Sequence, residues 1–181
     1  MGLSTKEAIK KYFDHLENLY QEKNGDLPYI PYDSEIQDTI YVGEPTKESW
    51  IRWKAVEKNT ENSLAELELQ LNIKFHKSIT EYFNSYWFAV LSGNIGDDIY
   101  ELFPVIPGNE IDEFANTLIE YLEYCSQENR PFQYIPIGFE VNSSNPILVD
   151  NKTGEIFLED VETQKYIWIS KSLADFIEEL I

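Results

Sequence analysis

An α+β fold, with a mixed, largely antiparallel sheet packed with helices in a single domain over residues 1–181, is what this sequence predicts. Three observations carry the prediction. Apolar residues recur at helical spacing near both chain ends. Short apolar runs separated by turn signals crowd residues 87–169. Those runs mostly follow one another directly, which favours antiparallel pairing over a doubly wound parallel sheet. At 181 residues, one domain with a sizeable core is expected.

The elements follow in chain order. Residues 4–23 form the clearest helix: Ser4 or Thr5 can cap it, Glu7 falls near the third position, and Ala8, Ile9, Tyr12, Phe13, Leu16, Leu19 and Tyr20 share a face. Asn24-Gly25 stops it. Residues 26–45 read as a Pro-rich linker, extended and without a regular strand, because Pro28 and Pro31 cannot donate to a ladder. The core then runs over 49–181. Residues 49–56 read as a strand. Residues 59–62 open a helix with Leu64, Leu67, Leu69 and Leu71 inside, and residues 76–83 form a second short helix. Trp87–Leu91 is a strand, Ser92–Asn94 a turn, and Ile99–Phe103 the next strand, ended by Pro104 or Pro107. Asn109 caps a long helix with Ile111, Phe114, Ala115, Leu118, Ile119 and Leu122 on one face. Strands follow at 134–139, 147–150, 155–158 and 166–169, with Asn151–Gly154 as a hairpin turn. A closing helix begins at Ser170 or Ser172 and turns Leu173, Phe176, Ile177 and Leu180 inward.

Composition excludes several classes of function. A formal charge of −19 opposes direct nucleic-acid binding and adsorption to anionic lipid, since both need Lys and Arg. The aromatic fraction of 14% opposes disorder. No apolar run approaches a membrane span, and residues 1–6 hold no apolar signal core, so neither lipid insertion nor secretion is expected. The single cysteine, Cys125, excludes an internal disulfide framework, and the cytosol is the default compartment. Acids surround it in sequence and would raise its pKa, so it reads as a buried apolar residue.

Catalytic signals are sparse. His15 and His76 lie in different helices and share no metal-ligand spacing, and neither a phosphate loop nor a Gly-x-Ser-x-Gly elbow is present. Asp97-Asp98 is the one carboxylate pair worth weighing for a divalent cation. Adjacent strand residues point to opposite faces, however, which favours a solvated turn. No cofactor and no metal site are read.

Charge distribution says more. From Ser78 to Asn129 there is no Lys or Arg, and the segment carries ten acids, among them Asp97, Asp98, Glu101, Glu110, Asp112 and Glu113. Uncompensated like charge costs stability, so one contiguous negative surface meeting a basic partner is expected; a merely solvated face is the competing reading. Trp50 and Trp53 differ by three positions and would face opposite sides of a strand. One then belongs to the core and the other is an interface anchor, unless the first helix and the Pro-rich linker bury both.

Ile135–Phe139, Pro146–Asp150, Thr153–Ile156 and Ser172–Phe176, with the paired helical stretches 66–73 and 76–83 upstream, resemble the Syd branch of the SUKH superfamily. The N-terminal helix, the Pro-rich linker and the Trp50/Trp53 strand make Syd the closer branch. The resemblance implies an α+β fold with an acidic concave surface and no enzyme activity. It implies a basic protein partner of one of two kinds. Immunity proteins of the superfamily neutralise toxins, often nucleases, and Syd proteins look to the basic cytosolic loops of the SecY translocon. On sequence alone the immunity reading is placed first and translocon binding second, with a cytoplasmic location that extends to the inner face of the cytoplasmic membrane. A metal-dependent hydrolase using Asp97 or Asp98 is the alternative from another class.

Overall fold

The computed structural model describes residues 2–59, 64–109 and 111–181. Helix α1, Thr5–Asn24, begins at a capping box: the Ser4 hydroxyl accepts from the Glu7 N–H at 3.3 Å, and the Glu7 carboxylate accepts from the Ser4 N–H at 2.8 Å. It ends at Gly25, whose φ of 66° is the left-handed conformation that a C-terminal glycine provides. Ala8, Ile9, Tyr12 and Phe13 are buried.

The Pro-rich segment is not a strandless linker. Tyr29–Pro31 forms β1, Tyr41–Val42 β2 and Trp50–Trp53 β3, in a small antiparallel sheet of order β1-β3-β2. Proline is tolerated there because β1 is an edge, where a missing N–H removes no bond the sheet needs. Val56–Glu57 (β4) pairs with Tyr86–Trp87 (β5). Between them lie α2, Ala65–Leu71, and α3, Lys77–Ser85. Part of the expected helix opening at 59–62 lies outside the described residues. Leu64 and Leu67 are buried as expected, but Leu69 is 82% exposed. Two positions along a helix is about 200° of rotation, so Leu67 and Leu69 cannot share a face.

The main sheet has six strands in sequential order: β6 Leu91–Ile95, β7 Asp98–Leu102, β8 Tyr134–Glu140, β9 Pro146–Asp150, β10 Ile156–Asp160 and β11 Lys165–Ser170. Every pairing among the described residues is antiparallel. The expected strand 87–91 is divided: Trp87 ends β5, Phe88 bridges to Val105, and Leu91 starts β6. The turn lies at Gly96-Asp97 rather than 92–94. Gly93 is instead inside β6, where an added Cβ would meet the Leu180 carbonyl oxygen at 2.2 Å, so its glycine serves close approach and not a turn.

Helix α4, Asp112–Gln127, connects β7 to β8, and α5, Leu173–Glu179, closes the chain with the Ser172 hydroxyl accepting from the Asp175 N–H. Asn109, the expected cap of α4, contributes only its backbone carbonyl, to Asp112. Ile119 is exposed, because it follows the inward Leu118 by a 100° step. Phe176 of α5 meets Tyr100 of β7 on one face of the sheet. Leu148, which alternates with Ile147 and Val149, joins Tyr121 and Cys125 of α4 in a second apolar cluster. Among the described residues, one core of 30 buried residues runs from Ala8 to Leu180, so both the first and the last helix depend on it.

Candidate partner-binding surface

Strand alternation puts Glu101 on the face opposite Tyr100, the face that α4 covers. Asp112 and Glu113 occupy the first turn of α4 and are exposed there. Desolvation, and then the Glu101 charge, push the Glu113 carboxyl above the usual carboxylate range. Like charges are therefore held together without a counter-ion. Seven ion pairs occur among the described residues, and their acids are Asp14, Asp26, Glu57, Glu68, Glu159, Asp175 and Glu178. None of these seven belongs to the base-free segment 78–129.

The described acids of that segment do not share one side. Asp97 sits in the β6–β7 turn, and Asp98 shares the face of Tyr100, whose phenol is raised by burial and then by the Asp98 charge. Glu81 accepts from the Thr5 N–H at the start of α1. Glu110 lies outside the described residues. Glu101 and Glu113 are brought together by the fold, with Asp112 next to Glu113 in the first turn of α4.

Two contributions were missed in sequence. Residues 24–46 also lack any base, and they carry Asp26, Asp33, Glu35, Asp38 and Glu44. The Gln37 carboxamide lies against Gly108, where an added Cβ would meet it at 3.4 Å, so Asp33–Asp38 border the loop that leads into α4. Counting bases over this stretch as over 78–129 would have found it. The second contribution is apolar. Ile99 and Val141 are exposed, and the Val141 N–H donates to the Ile99 carbonyl at 2.8 Å. Ile99 shares the face of Glu101. This pairing of β7 with the residue after β8 has no local sequence signal.

The tryptophans divide as their spacing requires. Trp50 is 46% exposed, whereas Trp53 is 2% exposed and packs edge-on to Phe13 at 5.9 Å. Trp53 is thus a core residue and not a partner contact, because the period of two along β3 turns it inward. Cys125 is buried, and burial pushes its thiol up, which keeps it protonated. His76 precedes α3; its imidazole Nδ1 accepts from the Ser78 N–H, and burial, then Lys77, lower its pKa. Among the described residues, no group of three or more His, Cys, Asp or Glu is placed to share a metal ion. No described helix is long and apolar enough to cross a membrane.

Helices on both faces of an antiparallel meander, with acids left unpaired beside one helix start, make this an α+β protein with an open acidic site. The family model for Syd protein (SUKH-2) matches residues 6–181, and the chain belongs to that family. Its relatives include Protein Syd of Shewanella loihica, 24% identical over 184 residues, covering 98% of this chain and 83% of the relative. Protein Syd of Colwellia psychrerythraea is 26% identical over 187 residues, covering 96% and 90%. Protein Syd of Psychromonas ingrahamii is 21% identical over 180 residues, covering 99% and 97%.

Proposed function

We propose that this protein is a non-enzymatic, cytoplasmic binding module whose acidic surface takes up the basic cytosolic loops of the SecY translocon. The observation that carries this reading is the group Glu101, Asp112 and Glu113, which enters none of the seven ion pairs among the described residues and in which one acid raises the pKa of another. Translocon loops on the cytosolic side are rich in Lys and Arg, so their charge complements the group. Asp33, Glu35 and Asp38 extend the surface, and Ile99 and Val141 offer apolar contact beside it. Asp97 lies in the β6–β7 turn and Asp98 on the opposite face of β7, and with Trp50 they would act through the wider field or at a separate contact.

Toxin neutralisation, placed first on sequence, becomes the second reading. The matching family is Syd, and the relatives carry that name.

The test is stopped-flow association with SecY held in lipid nanodiscs and, in parallel, with a basic nuclease domain. The wild type is expected to bind SecY, with an on-rate that falls steeply from low to physiological salt. Reversing Glu101 and Glu113 to Lys should slow association by about tenfold or more, because removing a steering field acts on the on-rate. An on-rate indifferent to both salt and reversal overturns the electrostatic reading. Tight binding to the nuclease and not to SecY moves the function to toxin neutralisation.

A further inference from the structure

The two edges of the six-stranded sheet are finished differently. At β6 the outer backbone of Ser92 is closed off: the Tyr12 hydroxyl of α1 accepts from its N–H at 3.1 Å and donates to its carbonyl at 2.6 Å. At β11 no such closure exists. Among the described residues, no backbone hydrogen bond joins 165–170 to any segment other than β10. Exposed edges in stable proteins are ordinarily blunted by charge, proline or a cover. Here the strand reads Lys-Tyr-Ile-Trp-Ile-Ser, with Ile167 48% and Trp168 55% exposed on opposite faces.

We infer that β11 is the site at which two copies of this chain associate, antiparallel and edge to edge, to form one continuous twelve-stranded sheet. Charge selects a second copy as the occupant. The chain holds 33 acids, yet residues 165–174 carry none. The edge strand of a strongly negative protein can therefore pair with a copy of itself here without setting one strand acid directly opposite another; the nearest carboxylate at its centre, Glu155, accepts from the Trp168 indole N–H at 3.2 Å. A basic segment would find Lys165 and Lys171 at the two ends of the strand.

Charge and face also select the register. A two-fold axis normal to the sheet pairs only residues that share a face. Centring on Trp168 would set Lys165 directly opposite the second copy's Lys171, a like-charge pair. Centring on Ile167 avoids this. It sets Ile167 against Ile167 on one face and, on the other, Tyr166 against Trp168 twice, the aromatic cross-strand pairing that stabilises sheets. Tyr166 is already held for this role: its ring stacks on Tyr134 at 4.3 Å, and Arg130 lies over it.

Sedimentation velocity on the full chain, from about 1 to about 300 µM at physiological salt, spans the range expected of a small interface. The mass should rise from one chain to two across that range. Ile167→Lys and, separately, Trp168→Lys should hold the mass at one chain, with an unchanged circular-dichroism spectrum, while Trp50→Lys leaves association intact. Hydrogen exchange on the wild type gives a readout that needs no variant: amides of 165–170 should gain protection as concentration rises. A mass of one chain throughout, association that survives Ile167→Lys, or protection that appears at β1 instead would each overturn the inference. These results do not depend on whether SecY is the partner.

Discussion

At its C-terminal end, α4 lies over a buried ion pair. Arg130, just past the helix, bonds the Glu159 carboxylate of β10 and the Tyr166 hydroxyl, and donates to the Tyr124 hydroxyl at 3.0 Å. Tyr121 donates to Glu159 at 2.7 Å, and the Glu159 side chain has no exposed surface. Burial alone would lower the Arg130 guanidinium, but the Glu159 carboxylate outweighs it and holds the group above its ordinary value. Burial, and then Glu159, push the Tyr121 phenol far up, so it remains a donor. At its N-terminal end, the same helix holds Asp112 and Glu113 beside Glu101 with no base among them. The carboxylate buried beneath the C-terminal end of this helix is therefore neutralised, while the acids exposed at its start are left open. Acid count alone does not distinguish structural from available charge; the presence of a counter-ion does.

The sharpest way to break this comparison is Arg130→Met. It leaves Glu159 buried and uncompensated, and it should cost about 3–5 kcal/mol of stability in chemical denaturation. A loss below about 1 kcal/mol would mean that the pair does not anchor α4. Tyr121→Phe removes one donor from the same carboxylate and should cost about 1–3 kcal/mol. No comparable loss is expected from neutralising the other end.

Glu113→Gln should be the smallest effect and of opposite sign, a gain within about 0.5 kcal/mol as for other exposed substitutions. Its pH dependence fixes the cause. Glu113 has a folded pKa raised above its unfolded value, so its charged form detracts from stability once pH passes through that folded pKa, and it makes no difference below the unfolded value. The gain from Glu113→Gln should therefore vanish at low pH and grow to a plateau as pH rises toward neutrality. Denaturation of both proteins across this pH range checks it; a gain that persists below the unfolded carboxylate pKa would point to packing instead.

Local chemistry was legible in the sequence wherever a few neighbouring residues decide the outcome. The Ser4–Glu7 box and Gly25 delimit α1 from both ends. Asp150 bonds the N–H groups of Lys152 and Thr153 and so draws the β9–β10 turn from its own side chain. The misread elements share a different cause. Gly93 looked like a turn because its reason for being glycine, the Leu180 carbonyl, lies 87 residues away in sequence. Pro31 looked like a strand breaker because its edge position depends on β3 folding back against it.

The candidate surface divides along the same line. That residues 78–129 carry acids and no bases, and that Trp50 and Trp53 oppose each other on a strand, are properties of composition and of a fixed backbone period. Both are therefore determined by the sequence itself. Which acids meet is not. Asp98 and Glu101, three residues apart, go to opposite faces of β7, while Glu101 and Glu113, twelve apart, come close enough for one to raise the other. Only the tertiary structure decided that Glu159 would find Arg130 and that Glu113 would find no base, because electrostatic energy depends on distance and desolvation in space and not on separation along the chain.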